Sequence, residues 1–243
     1  MKLSLLSFAL LGLLGTAKAD SDSCPLNVIS CQASGADSCC SPTYGLLVLT
    51  QQWSPGYGPA NQFTLHGLWP DTCSGAYGPS SGCDSSRSSS TIGTVIRNND
   101  SALYNRMLTY WPSNQGDNNK FWSHEWTKHG TCVSTLKPTC YGDSYKKNQD
   151  VIDYFKQTMA LRDEYNLYDA LSASGITPGG SYNVEDMRDA IQEAFGATAK
   201  LDCISGAINE VGLYFYVKGT NTYIPTDTLA LGNCKGSVKY PKK

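Results

Sequence analysis

The stretch that decides the fold and its chemistry is FWSHEWTKHGTC, residues 121–132. Taken as a helix of about 100° per residue, it places four ionisable side chains on one arc, with His124 as the origin, Lys128 near 40°, Glu125 near 100° and His129 near 140°. The two tryptophans of the stretch fall near 160° and 200°, where they can anchor the helix to a core. The alternative is a solvated charged face, but such faces seldom adjoin so much aromatic surface.

The remaining histidine of the chain, His66, lies in a second short stretch, FTLHGLWPD, residues 63–71. Imidazole is the side chain best suited to give and take protons near neutral pH. Because all three histidines of the chain fall in these two stretches, the sequence predicts that the two stretches meet in one active site.

A zinc site is the first alternative, because His124 and Glu125 resemble the start of the zinc-protease motif. That motif needs histidines at i and i+4, so that both rings reach one ion. Here His129 is at i+5, and Lys128, which would repel a dication, holds the i+4 place. The spacing therefore predicts no metal, and nothing in the sequence indicates another cofactor.

Two histidines and a lysine do suit phosphoryl transfer on RNA. One imidazole takes the proton of the 2′-hydroxyl, another protonates the leaving 5′-oxygen, and a cation stabilises the negative charge that develops at phosphorus. Since only RNA has this internal nucleophile, DNA is predicted not to react.

The two stretches, residues 63–71 and 121–132, resemble the active-site segments of the ribonuclease T2 family, the secreted acid ribonucleases. The resemblance extends over the whole chain after residue 19, including ten cysteines in the order typical of fungal members. It implies an α+β fold, with a central antiparallel sheet and flanking helices stabilised by disulfides.

The resemblance also implies the roles of the catalytic side chains. His66 and His129 are the expected acid–base pair, and His124 is expected to bind phosphate. Glu125 and Lys128 are expected to support the transition state. We favour His129 as the base of the first step and His66 as the acid, a polarity that the sequence alone leaves open.

Two base-binding sites follow from the same resemblance. The primary site is Trp69, Asp71 and Tyr77, which offers rings for stacking and a carboxylate that accepts from an exocyclic amine. Stacking tolerates every base, so we expect broad specificity, with adenine favoured through Asp71. The alternative is that Trp69 and Tyr77 are only core or loop aromatics. The implied secondary site consists of Gln52, Pro112, Ser113, Asn114, Gln115 and Phe121.

All ten cysteines lie after residue 19. An even number in an exported chain indicates five disulfides in an oxidising compartment. Zinc is the competing interpretation, but the sequence contains no Cys-x-x-Cys pair. The family pattern implies the pairs Cys24–Cys40, Cys31–Cys73, Cys39–Cys140, Cys83–Cys132 and Cys203–Cys234.

Residues 1–19 have the features of a secretory signal, namely Lys2, an apolar run over 3–14 and a small-x-small site at 17–19. The apolar run is too short to span a bilayer, so no membrane association is expected. Residues 20–243 are expected to form one secreted, monomeric domain, with the vacuole as an alternative destination.

Removing Lys2 and Lys18 takes the formal net charge from −2 to −4. An acidic chain is no general nucleic-acid binder, so attraction for single-stranded RNA must be local to a cleft.

Patterning outlines the elements. Strands are predicted over 46–50, 63–66 and 211–217, with 200–205 as a partner of the last. Residues 84–91, which are rich in serine, predict a tethered surface loop, and Asn99 begins the single glycosylation sequon. Three apolar stripes predict helices with core faces, and they are Leu103, Met107 and Tyr110; Val151, Ile152, Phe155 and Met159; and Met187, Ile191, Ala194 and Phe195.

The sequence thus predicts a secreted, metal-independent endoribonuclease that cleaves single-stranded RNA through a 2′,3′-cyclic phosphate to 3′-phosphate ends. The alternative from another class is a secreted binding or cytotoxic protein that keeps the fold and acts through a protein partner. A missing catalytic histidine would favour this alternative, whereas here the full set is present.

Overall fold

A computed structural model describes residues 24–25 and 27–243. The secretory signal predicted over residues 1–19 lies outside the described residues. Within them, none of the helices combines the length and the apolar character that crossing a membrane requires.

The centre of the described chain is a seven-stranded sheet. Its strands are β1 (Leu46–Gln52), β2 (Thr64–Asp71), β3 (Gly180–Asn183), β4 (Lys200–Ile204), β5 (Ala207–Lys218), β6 (Thr222–Thr226) and β7 (Ser237–Tyr240). The long strand β5 pairs with β1 along one edge, while β4 and β6 share its other edge. Among the described residues every pairing is antiparallel except one parallel bridge between β5 and β7. The predicted α+β class is confirmed, with a sheet that is mixed only at this bridge.

Six helices of the described chain flank the sheet. They are α1 (Ile92–Asn99), α2 (Ser101–Tyr110), α3 (Asn118–Lys128), α4 (Gln149–Glu164), α5 (Leu167–Ala173) and α6 (Val184–Phe195). Local capping explains the start of α2 and the end of α6. The Asp100 carboxylate accepts from the Leu103 backbone N–H at the start of α2, and Gly196, at φ 77°, ends α6 in the left-handed region.

The three predicted apolar stripes all lie on helices, and most of their side chains are buried in one core. Ala194 is the exception, since it is exposed. The reason is that residues 192–195, the last turn of α6, contain no buried side chain, so the helix leaves the core before it ends. Tyr110 and Phe195 are half-buried at the edge of the core.

Strand β2 is longer than the predicted strand over 63–66. It continues to Asp71 because β1 pairs with it from Gln52 to Leu46. The stretch Trp69–Asp71 is therefore held on the sheet, so that the second half of the first histidine segment has a rigid backbone.

Five disulfides tie the loops to this frame, and they are the five pairs that the resemblance implies. The Cys83–Cys132 bond joins the serine-rich loop to the end of the second histidine segment. Arg87 in that loop adds hydrogen bonds to the Thr131 and Leu136 carbonyls. The loop is tethered at its start and in its middle, as expected for the tethered loop that the sequence predicts.

Candidate active site

The two histidine segments lie side by side and line one cleft of about 450 Å³. Strand β2 supplies His66, helix α3 supplies Glu125 and Lys128, and His129 forms the C-cap of α3. His124 lies at the same cleft but is exposed. All five side chains of the predicted catalytic set therefore share one cavity.

Helix α3 is fixed in rotation by its two tryptophans. Trp122 and Trp126 are buried, and their indole N–H groups donate to the carbonyls of Trp111 at 2.8 Å and Arg87 at 2.7 Å. With this side anchored, the ionisable side chains of the helix face the cleft. The arc predicted for residues 124–129 rests on this packing.

Glu125 lies at the floor of the cleft with no exposed side-chain surface. Its Oε2 accepts a hydrogen bond from Trp69 Nε1 at 2.9 Å, and its Oε1 lies 3.8 Å from His66 Nε2. Burial raises the pKa of Glu125 to about 7, against the lowering effect of His66, the Trp69 hydrogen bond and Lys128. A proton can therefore reside on this carboxyl group near neutral pH.

The glycine after His66 makes this contact possible. A Cβ on Gly67 would clash with Glu125 Oε2 and would lie 2.5 Å from Trp69 Nε1. The strand must therefore have no side chain at this position, so that α3 can approach it closely.

His66 occupies a β-bulge. The register pairs Gln51 with Leu65 and Thr50 with Gly67, which leaves His66 as the extra residue of β2. Bulges re-aim side chains and are common beside active sites. The His66 carbonyl accepts from Trp111 Nε1 at 2.8 Å, which satisfies a backbone group of the bulge.

A carboxylate that the sequence analysis missed contacts His66. Glu210 Oε1 on β5 lies 2.6 Å from His66 Nδ1. Burial lowers the pKa of His66, but the hydrogen bond to Glu210 and the charges of Glu125 and Glu210 outweigh it, so the pKa is raised above its ordinary value. The only signal in the sequence is an acidic residue beside an apolar strand, and the pairing that brings it to His66 spans 144 residues.

The pKa of His129 moves in the opposite direction. Burial and the charge of Lys128, followed by those of His124 and His66, lower it to about 3. The ring stacks on Trp69, with centroids 5.1 Å apart and planes at 22°. Burial and Lys128 also lower the pKa of His124. The cleft thus contains one imidazole that favours its proton, His66, and two that favour the neutral form, His129 and His124.

The metal interpretation needs a second test in three dimensions. One ligand atom from each of His124, Glu125 and His129 lies within 4.8 Å of the other two. The prediction that the i+5 spacing separates the two rings is therefore wrong. The reason is that His129 is the C-cap of α3 and does not continue the helix. The chemistry does not fit a dication, however. Glu125 Oε2 is bonded to Trp69, and the charge of Lys128 already lowers the pKa of both histidines. We therefore assign no metal ligands here.

The predicted primary base site lines the same cleft. Asp71 is buried at the end of β2, and burial raises its pKa to about 6 in spite of the charge of Lys200. Tyr77 is 76% exposed at the mouth, so it is not a core aromatic. Trp69 is half-buried and packs its ring against His129 and, edge-on at 4.8 Å, against His66. Trp69 therefore contacts the two histidines of the predicted acid–base pair and also lines the predicted base pocket.

The predicted secondary base residues are less closely grouped. Phe121 lies nearest to the chemistry, with its ring centroid 5.6 Å from that of His66. Gln52 is buried and its amide donates to the Leu65 carbonyl at 3.1 Å. This hydrogen bond joins strands β1 and β2 and occupies the amide group of Gln52. The other four lie in the turn before α3, where Pro112 is half-buried, Ser113 is buried, and Asn114 and Gln115 are exposed.

The cleft combines imidazoles whose pKa values are shifted in opposite directions with a lysine and a buried carboxyl group. This combination is that of an acid–base active site, and it lies on a disulfide-bonded α+β fold. Comparison with known proteins gives the family. The profile of the Ribonuclease T2 family matches residues 37–234. This chain belongs to the ribonuclease T2 family.

The relatives are similar over most of their length. Ribonuclease Rh of Rhizopus niveus is 59% identical over 236 residues, which are 97% of this chain and 98% of that protein. Ribonuclease T2 of Aspergillus oryzae is 41% identical over 237 residues, 91% of this chain and 84% of that protein. The solved structure of Actibind, described as a T2 ribonuclease, has a TM-score of 0.85 at 39% identity and covers 93% of this chain and 98% of its own. RNase NT, solved in complex with 5′-AMP, has a TM-score of 0.61 at 26% identity, covering 82% and 98%.

Proposed function

We propose that this T2-type endoribonuclease cleaves single-stranded RNA without a metal, through a 2′,3′-cyclic phosphate to 3′-phosphate ends. The observation that carries the proposal is the opposite displacement of two pKa values across one cleft. The pKa of His66 is raised and that of His129 is lowered. Acid–base catalysis needs such a pair, with one ring protonated and the other neutral at the working pH.

In the first step, His129 is the base and His66 is the acid. Neutral His129 takes the proton of the 2′-hydroxyl, and the 2′-oxygen attacks phosphorus. The bond from phosphorus to the 5′-oxygen breaks, and protonated His66 delivers its proton to that oxygen. In the second step the roles reverse, so that His66 takes a proton from water, water opens the cyclic phosphate, and His129 returns a proton to the 2′-oxygen.

The other polar groups of the cleft are placed to stabilise the negative charge of the phosphate group. Lys128 is placed to stabilise the negative phosphorus oxygens of the transition state. His124, exposed at the same cleft, is placed to bind the phosphate when it is protonated at acid pH. Glu125, with a pKa of about 7, is able to donate a hydrogen bond to a phosphate oxygen when it is protonated.

The base on the 5′ side of the cleaved bond is proposed to enter between Trp69 and Tyr77. Both rings line the cleft with Asp71, and stacking accepts every base. The base on the 3′ side is proposed to meet Phe121, beside His66. Broad specificity follows, with Asp71 adding a preference for adenine.

Further features of the proposal concern the chain as a whole. We propose a secreted monomer of residues 20–243, with no action on DNA and no membrane association. Asn99 is exposed at the end of α1, as a glycan requires. The alternative, a binding or cytotoxic protein acting through a partner, is not favoured, because the complete catalytic set lines one cleft.

The test is digestion of RNA in excess EDTA, with products separated as cyclic and linear phosphates. We expect unchanged rates, 2′,3′-cyclic products first and 3′-phosphates later, and no cleavage of DNA of the same sequence. Inhibition by EDTA that zinc reverses would contradict the metal-independent mechanism. Products with 5′-phosphate ends would contradict attack by the 2′-hydroxyl.

A further inference from the structure

We propose that Glu210 is a positioning residue for the catalytic acid, holding the His66 ring by Nδ1 so that Nε2 faces the leaving 5′-oxygen. This inference rests on the proposed function, in which His66 is the acid. It adds to the site a side chain that neither histidine segment contains.

The contact is built by two irregular strands. Glu210 lies on the long strand β5, between Gln52 of β1 and Asp202 of β4, so its backbone is held on both edges. The pairing of β4 with β5 skips Asn209, which places a bulge directly before Glu210. His66 is itself the extra residue of the bulge in β2. One bulge turns the imidazole towards β5, and the other lies beside the carboxylate that meets it.

The 2.6 Å contact also selects a tautomer. A carboxylate only accepts hydrogen bonds, so His66 Nδ1 must carry the hydrogen that Glu210 Oε1 receives. The other ring nitrogen, Nε2, then points to the cleft, 3.8 Å from Glu125 Oε1. Without Glu210, rotation of the ring could present either nitrogen to the substrate.

Two carboxyl groups flank His66, but they differ in burial. The side chain of Glu125 has no exposed surface, whereas that of Glu210 is 23% exposed. Because burial raises the pKa of Glu125 to about 7, Glu125 is partly neutral where the enzyme would act. The two carboxyl groups also differ in distance, because Glu210 Oε1 lies 2.6 Å from His66 Nδ1, whereas Glu125 Oε1 lies 3.8 Å from His66 Nε2. Glu210 is therefore the carboxyl group that holds the ring directly.

The charged groups that face this pair come from three elements. Those near His66 on α3 and its C-cap are His124, Glu125, Lys128 and His129. Those that line a small cavity with Glu210 are Asp71 of β2 and Lys200 and Asp202 of β4. Lys200 pairs with Asp202 at 3.0 Å, so part of its charge is compensated. Glu210 is the one among them that hydrogen-bonds the imidazole.

The decisive variant is Glu210→Gln, which keeps the shape and one acceptor oxygen but removes the charge. The alkaline limb of the pH profile of kcat/KM requires protonated His66. Since an opposite charge at this range shifts a pKa by about 1–3 units, we expect the limb to move down by about one pH unit. The matched control is Glu193→Gln, an exposed residue of α6, which should leave the profile unchanged.

A second variant separates position from charge. Glu210→Ala removes the acceptor as well, so we expect kcat on a dinucleoside phosphate to fall about 100-fold, with KM nearly unchanged. Thermal unfolding of both variants reports whether the fold is retained, and Glu210→Gln carries the test if the alanine variant does not fold. Titration of the His66 ring by NMR should show a lower pKa in Glu210→Gln.

The outcomes distinguish this inference from the proposed function. A wild-type pH profile, kcat and His66 titration in Glu210→Gln, beside an inactive His66→Phe, would overturn the role of Glu210 and leave His66 as the acid. A nearly active His66→Phe would overturn both.

Discussion

His66 on β2 and His129 at the end of α3 both contact the Trp69 ring, in surroundings of opposite charge. His66 has two carboxyl groups around it, Glu125 and Glu210, and its pKa is raised although burial lowers it. His129 has Lys128 and the other imidazoles around it, and its pKa is lowered to about 3. The carboxyl end of a helix favours a cation by about 0.3–1 kcal/mol, so burial and Lys128 act against the helix here.

The difference shows how two residues of one type can have pKa values shifted in opposite directions, as the proposed acid and base require. The strand reaches acidic side chains because a sheet brings together residues far apart in the chain. The helix reaches basic ones because its own neighbours in sequence, at positions 124 and 128, share its cleft face. The following predictions test this contrast.

The largest effect is expected from removing either ring. His66→Phe and His129→Phe should each lower kcat by at least the 10²–10⁴-fold typical of lost acid–base catalysis, with the fold intact. Steady-state rates on RNA, with circular dichroism as the control for folding, measure this. Near-full activity in either variant would show that the two rings are not an opposed pair.

The pH profile tests the contrast itself. The pKa of His129, lowered to about 3, keeps this ring neutral above that pH. The hydrogen bond to Glu210 and the charges of Glu125 and Glu210 raise the pKa of His66 against the effect of burial, so this ring keeps its proton to a higher pH than a free imidazole does. A plot of kcat/KM against pH should therefore be bell-shaped, with an optimum below neutral pH. A rate that climbs steadily past pH 8 would contradict both assignments.

The sequence predicted the helical half of this contrast better than the strand half. Helical periodicity places His124, Lys128 and His129 on one side, because it depends only on residues close in the chain. The contact of His66 with Glu210 depends on β-sheet register and on a bulge, and neither leaves a periodic trace in the sequence. The disulfides and the sheet came from family resemblance, while the exposure of Ala194 shows that a correct helix can still extend past the core.

A smaller effect is expected at the contact that joins the two regions. Trp69→Phe keeps a ring over His129 but removes the N–H that Glu125 Oε2 accepts at 2.9 Å. Above pH 7, where Glu125 is mostly ionised, a hydrogen bond to this charged group contributes about 1.5–3 kcal/mol, so kcat/KM measured there should fall by roughly one order of magnitude or more. The double variant Trp69→Phe/Glu125→Gln provides the control. If the indole acts through Glu125, the two losses will not add, whereas additive losses would assign Trp69 to base stacking alone.

The smallest effect concerns the choice of base, away from both histidines. Asp71 is buried in the cleft with a pKa of about 6. We expect its carboxylate to accept from the amino group of adenine above that pH, and we expect the protonated group to lose that preference below it. Stacking on Trp69 and Tyr77 cannot supply the discrimination, because adenine and guanine present similar faces.

The preference for adenine over guanine should therefore rise as the pH increases from 5 to 7, a direction set by the ionisation of Asp71. Asp71→Asn keeps the shape but adds a donor, so it should weaken the preference by about 1–2 kcal/mol and remove its dependence on pH. The measurement is kcat/KM for dinucleoside phosphates that differ in the 5′ base, with Trp69→Ala as the control that slows cleavage after every base. If the order of bases and its pH dependence were unchanged in Asp71→Asn, the polar contact would have to come from another side chain, and the neighbouring Lys200 of the same small cavity would be the next to replace.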